Sequence, residues 1–574
     1  MTNVATITPL NQFFDTNGAP LNSGYLYFGL PNQDPEQFQA QMYWDAAGTV
    51  PALQPVRTIS GYPSRAGSPA IIYGPDSYSL RVKNSASVQV LYAPELGGLA
   101  TSASLSGSGG SALVGFLQSG TGAIARTIQD KGRDVVSVFD FMTSAQIADV
   151  KSGSKTLDTS AAIQAATNYT TARGQSLFFP AGIYKLLSFV TLPSNTDWIG
   201  EVGTSIYLDP TMTLGAVIGG TARAVYANTA SNISIAKIKF NSITTGLTKA
   251  ITIALSSVTR LRLQDCSFED FGNATYYAQG LIIYGSSNVD ITGCRFNNCS
   301  GDGLALSNSV TNYYIHNNEF SSNGDWGCAL VVDCNNGIVI GNSIQNNTST
   351  GTGVDRCQNV TFIGNTIQNN EHGIRIAEFA VTAEKNSHIA ILGNTIKTVG
   401  VAGISIEGLK AVFGIFTVSG NTVEGSSNQG IRVIDGEVGT IANNAIYSCA
   451  AEGILVQSAT AGRTTGNITI TGNAIHTATY GIRQITTAGT STRISVVNNL
   501  ISGTSIAALA LLSVSVSIDT TPTNFTAFSL PLGFPSAITS GSATTGGTAL
   551  PANAQGFLPL YMGTTLYKIP FYNA

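Results

Sequence analysis

Apolar and polar residues alternate through most of the middle of the chain, in short runs that return at a regular interval. Residues 360–363 (VTFI), for example, are followed by 365–367 (NTI) and then by 373–376 (GIRI). Alternation of this kind predicts β-strands in which every second side chain is buried. Because no helical periodicity separates the runs, we expect the strands to follow one another directly.

The interval is marked by ten signatures, each a Cys or Asn, then any residue, then Phe, Ile or Val. Successive signatures lie 23 to 29 residues apart, and most are followed eight or nine residues later by Gly and alternating apolar residues. Self-similarity at this period predicts a stacked array, here an all-β parallel β-helix with about three short strands in each coil. The signatures begin at Cys266, Cys294, Asn318, Asn342, Asn365, Asn394, Asn421, Asn444, Asn473 and Asn499.

Asn and Gly recur at the predicted corners of the coils. Both residues tolerate the left-handed backbone conformations that tight turns need. A column of stacked Asn side chains is also able to hydrogen-bond from one coil to the next, so we interpret the ten anchors as structural. Cys266 and Cys294 occupy the same column and are expected to fill the core or the turn.

Composition narrows the classes of function. Charged residues make up only 10% of the 574 residues, and the formal net charge is −4. The lack of a basic cluster argues against nucleic acid as a partner. The N-terminus has neither the basic region nor the apolar core of a secretory signal, and no run reaches the ~18 apolar residues of a membrane span. We therefore expect no membrane insertion.

Cysteine and histidine usage argues against a metal centre. There are seven Cys and four His, with no CxxC pair and no His at a zinc-like spacing from Cys. This pattern predicts reduced thiols, no metal site and no cofactor.

Changes in composition and in the pattern of apolar residues divide the chain into five segments. Residues 1–97 alternate in short runs rich in Tyr and Pro and predict a small β domain, and the Gly- and Ser-rich residues 98–125 predict a flexible linker. Residues 126–200 contain the helical patterns, residues 201–505 the repeats, and residues 506–574 a β-patterned tail.

A solenoid has open ends, which need covering because an exposed edge strand would add strands from other chains. In residues 158–160 (DTS) the sequence offers caps for a helix over 161–173, in which Ile163 and Ala166 share a face. We expect this helix to cover the N-terminal end of the solenoid and the tail to close the other end or to trimerise.

Three segments resemble bacteriophage tailspikes. The first is similar to the particle-binding domain of tailspikes from short-tailed phages, through residues 24–29, 32–35, 43, 47–48 and 54–55. The second is similar to the entry segment of pectate-lyase-like phage spikes, through residues 126–131, 136–141, 159–166 and 179–184. The third looks like a common spike C-terminus, through residues 556–559 and 567–572. One departure is that Phe141 is followed by Met142-Thr143-Ser144 instead of the family's acidic Gly-Asp-Gly stretch.

The resemblance implies a homotrimer of right-handed parallel β-helices that belongs to the tail of a virion. Residues 1–97 would bind tail or portal-adaptor proteins, residues 126–200 would be the entry segment, and residues 506–574 would trimerise. The resemblance also implies assembly in the cytoplasm of a bacterial host and recognition of a bacterial surface polysaccharide, often with cleavage.

One group of candidate residues lies on and just beyond the strands that follow the Gly signature. Glu378, Glu407 and Asp435 fall in three successive coils and are the predicted catalytic carboxylates, because glycoside hydrolysis needs two carboxyl groups. Arg375 and Arg432 would hold an acidic sugar or keep one carboxylate ionised. The structural alternative is a surface ladder of salt bridges.

A second group consists of predicted substrate-binding residues. Asp302 and Asp325 lie in neighbouring coils, Trp326 offers an aromatic surface for a sugar ring, and His372 precedes the Gly of its coil. The alternatives are that both Asp are turn residues beside Gly and that His372 is merely hydrogen-bonded.

Three functions remain open from the sequence. The first is a spike that binds and depolymerises capsular polysaccharide or lipopolysaccharide as an endo-acting glycoside hydrolase. The second is an adhesin of the same fold that does not cleave, and the third is a polysaccharide lyase that acts by β-elimination, with His372 or Tyr480 as a candidate base.

Overall fold

The protein consists of two compact units, residues 1–134 and residues 135–574. The computed structural model describes residues 4–7, 12–97, 105–215, 217–218, 221–243, 245, 247, 249–377, 386–408, 413–511, 518–519, 528–529, 556–562 and 565–571. The predicted catalytic Glu378 and most of the predicted C-terminal segment lie outside these residues. In the described part of the chain, no helix combines the length and the apolar character needed to cross a membrane.

The first unit is built mainly from antiparallel strands around a small apolar core that contains Leu26, Phe28, Met42 and Ile72. One sheet contains, in order, Val4–Ile7, Ile72–Gly74, Met42–Tyr43 and Pro51–Ala52. The other contains Gln89–Gly97, Ser77–Lys83, Tyr25–Gly29, Val56–Ile59, Tyr62–Arg65 and Ser68–Pro69. The 3-10 helix Gly110–Leu113, the strand pair Gly115–Phe116 and Arg126–Thr127, and the α-helix Ile128–Gly132 follow.

The second unit begins with the strand Val136–Ser137, the 3-10 helix Val138–Phe141 and the α-helices Ser144–Ser152 and Ser160–Thr171. The last helix corresponds to the one predicted over 161–173. Its start is secured by Asp158, whose carboxylate accepts a hydrogen bond from the backbone N–H of Ser160 at 2.9 Å. Ile163 and Ala166 are fully buried in the main apolar core, as their shared face predicts.

The rest of the second unit is the predicted parallel β-helix. Each coil contributes a strand to sheet 1, then to sheet 2, then to sheet 3, and every strand pairs in parallel with its equivalent one coil away. The coil quoted from the sequence illustrates this order with the strands Gln358–Ile363, Thr366–Gln368 and His372–Ala377.

The strands of the three sheets have the following bounds. Sheet 1 contains Val136–Ser137, Leu177–Phe179, Asp197–Gly200, Ser287–Thr292, Thr311–His316, Asn335–Ile340, Gln358–Ile363, Ser387–Leu392, Phe413–Ser419, Gly436–Ala442, Thr464–Thr471, Thr490–Val497 and Ile518–Asp519. Sheet 2 contains Gly182–Ser188, Thr204–Thr213, Lys239–Asn241, Ser267–Glu269, Arg295–Asn297, Glu319–Ser321, Ser343–Gln345, Thr366–Gln368, Thr395–Val399, Thr422–Ser426, Ala445–Tyr447, Ala474–His476 and Leu500–Ser502. Sheet 3 contains Val190–Thr191, Leu281–Tyr284, Leu304–Ser307, Cys328–Val331, Thr350–Asp355, His372–Ala377, Ala402–Glu407, Gln429–Ile434, Glu452–Ser458, Tyr480–Thr486, Ala507–Ala510 and Phe528–Ser529.

Six further strands complete the described part of the second unit. The long strands Val225–Ala236 and Ile253–Gln264 run through both sheet 3 and sheet 1, because each pairs with strands of both. Two antiparallel pairs lie outside the three sheets, Val217–Ile218 with Thr221–Ala222 and Gly556–Met562 with Thr565–Phe571.

The corner from sheet 1 to sheet 2 has the same form in successive coils. Two residues separate the strands, as at Gly364-Asn365 between Ile363 and Thr366. The first of the two adopts a left-handed conformation, with φ of 62° at Gly364 and 55° at Asn443, which explains why Gly, Asn or Asp occupies it in the coils from Asp265 to Asn498. The second is the anchor residue of the repeat.

The anchor residues form the predicted ladder. The side-chain oxygen of Asn365 accepts hydrogen bonds from the backbone N–H of Asn342 at 3.0 Å and from its side-chain N–H at 2.9 Å. The side-chain nitrogen of Asn365 in turn donates to the side-chain oxygen of Asn394 and to the backbone carbonyl of Val339, both at 2.9 Å. The same contacts join Asn318, Asn342, Asn365, Asn394, Asn421, Asn444, Asn473 and Asn499. The structural interpretation of the Asn column is confirmed.

The interior of the solenoid is a single apolar core in which equivalent residues stack. Phe240, Phe268, Phe296 and Phe320 form a column of parallel rings with centroids 5.0 to 5.3 Å apart. All seven cysteines are buried free thiols, and Cys266 and Cys294 fill the core at the head of the Asn column, as expected.

The ladder generates a first prediction. Replacing Asn365 with Ala deletes the acceptor of the Asn342 backbone and side-chain donors and leaves the Val339 carbonyl without its amide donor. Each buried group left unsatisfied costs about 1–3 kcal/mol, so we expect Asn365→Ala to lower the free energy of unfolding by roughly 2–4 kcal/mol. Urea unfolding followed by circular dichroism measures this change.

The neighbouring Thr366→Ala is the matched control, because Thr366 is exposed on the short strand of the same coil. Its cost should stay below about 1 kcal/mol. Equal losses in the two variants would contradict a stabilising role for the ladder.

Candidate functional site

Outward-facing residues, many of them polar, stack in two rows on the outer surface of sheet 3. One row, which we call the arginine row, follows the strand register through Ala329, Gly353, Arg375, Ser405, Arg432, Leu455 and Arg483. The other, the pre-glycine row, contains the residue before each Gly signature: Asp302, Trp326, Thr350, His372, Ala402, Gln429, Glu452 and Tyr480.

Contacts between the rows show that they share one face. Nη1 of Arg483 lies 2.9 Å from Oε1 of Glu452. The indole of Trp326 packs over Gly353, where a Cβ would come within 3.0 Å of the ring. The part of this face from Asp302 to Arg432, together with Asp325 and Glu407, is called the polar strip below.

The upstream end of the polar strip holds two carboxyl groups and a phenol. Asp302 is 8% exposed, and its Oδ1 accepts a hydrogen bond from the backbone N–H of Trp326 at 3.1 Å. The hydroxyl of Tyr277 lies 3.3 Å from Oδ2 of Asp325 and also interacts with the carboxyl group of Asp302. One phenol thus bridges carboxyl groups from neighbouring coils.

Burial sets the protonation of this pair. It raises the pKa of Asp302, and the charge of Asp325 adds to the effect, so that the pKa reaches about 7. Burial also raises the pKa of Asp325, although hydrogen bonds from Tyr277 and Ser349 oppose the rise. Near neutral pH, Asp302 is therefore able to hold or release a proton.

The downstream end of the polar strip is an ion-pair cluster around Glu407. Nη2 of Arg375 lies 2.9 Å from Oε2 of Glu407, and Nη2 of Arg432 contacts Oε1. Ser405 donates its hydroxyl to Oε1 at 2.6 Å and accepts a hydrogen bond from Nε of Arg432 at 2.8 Å. The arrangement fixes both guanidinium groups around one buried carboxylate.

These contacts keep Glu407 ionised. Burial alone would raise the pKa of this carboxyl group, but the charges and hydrogen bonds of Arg432 and Arg375 outweigh burial and lower the pKa to about 2. Glu407 therefore has no proton to donate near neutral pH. The ladder of salt bridges that the sequence left as an alternative is present, although Glu407 is only 2% exposed rather than on the surface.

His372 lies between the two ends of the polar strip. It is 3% exposed, and burial followed by the positive charge of Arg375 lowers its pKa to about 4. Its imidazole is neutral near pH 7. Trp326, which the sequence nominated as a stacking surface, is 7% exposed, so little of its ring is open to a ligand.

Asp435 is placed differently from Glu407. The strand register pairs Glu407 with Ile434, so Asp435 lies one position beyond the row of Glu407. It has no exposed surface, its backbone is left-handed with φ of 53°, and its Oδ1 accepts a hydrogen bond from the backbone N–H of Ala459 at 2.8 Å. Asp435 thus holds a turn of the next coil, while Glu378 lies outside the described residues.

Tyr277 and Ser405 were not selected from the sequence. Ser405 could have been predicted from the sequence, because it is the residue between Arg375 and Arg432 in the arginine row. Tyr277 lies off the repeat, in the extra residues of the coil between Cys266 and Cys294, which is 28 residues long where the next two have 24. The extra length of that coil was the feature of the sequence that could have drawn attention to Tyr277.

Other potential sites on the chain offer less chemistry. In the part of the chain that the structure describes, no group of three or more His, Cys, Asp or Glu side chains is arranged to hold a metal ion. A cavity of about 570 Å³ lies elsewhere and shares no residue with the polar strip; its lining includes Asn195, Asn232, Arg260, Arg262, Asn288 and Asp290.

Several solved structures are similar to this chain, at low sequence identity. They include the A-module of the mannuronan C-5 epimerase AlgE6 of Azotobacter vinelandii, with 17% identity over 67% of this chain and 98% of that one and a TM-score of 0.46. A mutant tailspike protein of E. coli bacteriophage HK620, in complex with a hexasaccharide, has 14% identity over 73% of this chain and 72% of that one, with a TM-score of 0.46. The catalytic unit of an α-1,3-glucanase from Streptomyces thermodiastaticus has 14% identity over 88% and 86%, with a TM-score of 0.41.

No curated protein sequence matches the chain. The family model for the right-handed β-helix region does match, at residues 197–336, 280–436 and 402–524. These overlapping matches cover more than half of the 574 residues and coincide with the stacked coils. The chain therefore belongs to the right-handed β-helix family.

Proposed function

We propose that the chain is a bacteriophage tailspike that binds a bacterial surface polysaccharide along the polar strip and hydrolyses it. The observation that carries this proposal is the pair of carboxyl groups, Asp302 and Asp325, bridged by Tyr277 at one end of a row of polar side chains. The row is fixed on six consecutive coils of a rigid solenoid.

The shape of the polar strip supports an extended polymer as the ligand. Asp302 and Arg432 lie five coils apart, which corresponds to about 24 Å at ~4.8 Å per coil. Side chains along this length include carboxylates, guanidinium groups and neutral hydrogen-bonding groups. A polysaccharide, which presents hydroxyl groups at regular intervals, matches a linear array of such side chains.

Hydrolysis would proceed at the upstream end of the polar strip. Asp302 would donate its proton to the glycosidic oxygen as the bond to the anomeric carbon breaks, because its raised pKa keeps it protonated near neutral pH. Asp325 would either take the proton of the attacking water, or attack the anomeric carbon to form a glycosyl-enzyme that is then hydrolysed by a water whose proton passes to the ionised Asp302. Tyr277 would hold both carboxyl groups in place.

In this proposal the general acid is Asp302, and not one of the carboxylates that the sequence favoured. Glu407 is kept ionised by two arginines, and Asp435 is engaged by backbone N–H groups of the next coil. We therefore assign Glu407 a positioning role for Arg375 and Arg432. The alternatives are an adhesin that does not cleave and a lyase that acts by β-elimination. The experiment described under the second prediction distinguishes both from a hydrolase.

The particle-binding and oligomeric parts of the proposal rest on sequence resemblance. Residues 1–97 would attach the chain to tail or portal-adaptor proteins of a virion, and residues 506–574 would join three chains. The compact β unit that precedes the solenoid is consistent with a separate attachment domain.

Catalysis generates the second prediction. Purified protein incubated with a panel of bacterial capsular polysaccharides and lipopolysaccharides should release oligosaccharides with new reducing ends. Asp302→Asn keeps the acceptor for the Trp326 N–H but has no proton to transfer, so we expect it to lower the rate about 10²- to 10⁴-fold. Asp325→Asn should cause a comparable loss. Reducing-end assays and size-exclusion chromatography of the polymer measure these rates.

The control is Asp265→Asn, at an exposed corner residue of the same solenoid, which should retain the wild-type rate. Products that absorb as unsaturated uronates would indicate a lyase instead. Binding of a polymer that stays intact would reduce the proposal to an adhesin.

The third prediction concerns pH. Folded Asp302 holds its proton up to about pH 7, whereas in the unfolded chain it loses the proton near its usual pKa of about 3.9. The folded state therefore binds more protons between about pH 4 and 7, and the free energy of unfolding should fall with rising pH by up to about 1.4 kcal/mol per pH unit. Asp302→Asn removes this contribution.

Urea unfolding of the wild type and Asp302→Asn at pH 4, 5, 6 and 7 is the measurement. Relative to this variant, the wild type should lose stability as the pH rises through the window. A difference that does not change with pH would mean that Asp302 titrates at its usual pKa and is unsuited as the acid.

The fourth prediction concerns assembly. Light scattering coupled to size-exclusion chromatography should give the mass of three chains of 59.6 kDa. A chain that elutes with the mass of one copy at micromolar concentration would contradict the proposed trimer.

A further inference from the structure

Buried polar atoms without a partner are concentrated on the outer face of sheet 3. Among the described residues, Oγ1 of Thr350, Nδ1 of His372 and Oε1 of Gln429 are buried and have no hydrogen-bond partner. All three belong to the pre-glycine row, and Thr350, His372, Ala402 and Gln429 follow one another in register. Buried polar atoms are nearly always paired in folded proteins, so three unpaired atoms in one row indicate partners from outside the chain. Thr350 is fully buried and His372 is 3% exposed, so such a partner reaches them only when the side chains above them move.

The neighbouring residues show that this is not a general property of the row. Glu452, also in the row, accepts hydrogen bonds from Gln429 and Arg483. The hydroxyl of Thr352, two residues after Thr350 on the same strand, donates to the backbone carbonyl of Cys328 at 3.0 Å. The unpaired atoms thus coincide with the part of the row between Trp326 and Glu452.

The chemistry of the three atoms restricts the ligand. Oε1 of Gln429 only accepts hydrogen bonds, so its partner must be a donor. The hydroxyl of Thr350 and the neutral imidazole of His372 each donate or accept. None of the three atoms carries a charge, and the hydroxyl or amide groups of a ligand supply both the donor that Gln429 needs and the donors or acceptors that suit Thr350 and His372.

We infer that Thr350, His372 and Gln429 form a subsite that binds an uncharged sugar unit through its hydroxyl or acetamido groups. The inference rests on the proposed function, since it concerns the same polar strip, and it adds residues that determine specificity. The subsite begins two coils downstream of Asp302, so the sugar that it selects is separated from the bond that is cleaved. Thr350 and His372 are specificity residues in this scheme and take no part in proton transfer.

Thr350→Val tests the inference because valine keeps the shape of threonine and removes only the hydroxyl. In the free protein an unpaired buried hydroxyl is unfavourable, so Thr350→Val should have the same or a higher Tm than the wild type. With ligand bound, the same change removes a hydrogen bond, so the Kd should rise about 3- to 10-fold. Thermal unfolding and binding to an array of purified bacterial capsular and lipopolysaccharide glycans provide the two readouts.

Thr352→Val is the matched control on the same strand. Its hydroxyl is already paired within the chain, so its loss should lower the Tm and leave the Kd on the array unchanged. His372→Phe, which keeps a planar ring without nitrogen, should weaken binding to the same glycans as Thr350→Val does. Asp302→Asn, by contrast, should bind them normally and fail to cleave them.

Two results would overturn the inference. The first is a lowered Tm with unchanged binding for Thr350→Val, which would show that ordered water already satisfies this hydroxyl, as the chain satisfies that of Thr352. A wild-type chain that cleaves a glycan which Thr350→Val and His372→Phe bind with unaltered Kd would also refute the subsite while leaving the proposed hydrolysis intact. Failure of the wild type to bind any arrayed glycan would remove the proposed function and the subsite together.

Discussion

The buried amide ladder at the corner between sheet 1 and sheet 2 fixes the architecture of the solenoid. Each Asn side chain both accepts from the preceding coil and donates to the following one, and it also caps a strand carbonyl. A slip of one residue in any coil would break these bonds and turn the apolar face of that coil outwards. The ladder therefore determines which residues that are far apart in the sequence become neighbours on adjacent coils.

The polar strip is a consequence of that registration. Arg375, Ser405 and Arg432 become successive members of one row because their coils are aligned at the Asn corner. Glu407 then lies within reach of guanidinium groups from the coils on both sides, and its charge is balanced without solvent. Rigid placement of this kind suits a site that must recognise a long, repetitive ligand, because side chains fixed by packing do not have to be ordered on binding.

Much of the fold, and part of the site, could be predicted from the sequence for the same reason. The repeat predicts where the strands lie, and the Asn column predicts how the coils are aligned. This alignment in turn predicts which residues form the arginine row. The sequence could not give the environment of individual carboxyl groups. Asp302 becomes a weak acid because it is buried close to the charge of Asp325, and Asp435 leaves the expected row because the strand register places it one residue further along. Burial and partner choice of this kind depend on loops, for which the period carries no information.

The coils differ in length at corners other than the one that the ladder occupies. Between sheet 3 and sheet 1, two residues join Asp355 to Gln358, three join Ser307 to Thr311, and five join Ser458 to Thr464. The entropy of closing a loop grows only slowly with its length, so residues can be added there at small cost to the fold. Evolution can therefore lengthen the edge of the proposed glycan site, and so change the glycan that it would accept, while the stacked amides of the ladder stay unchanged.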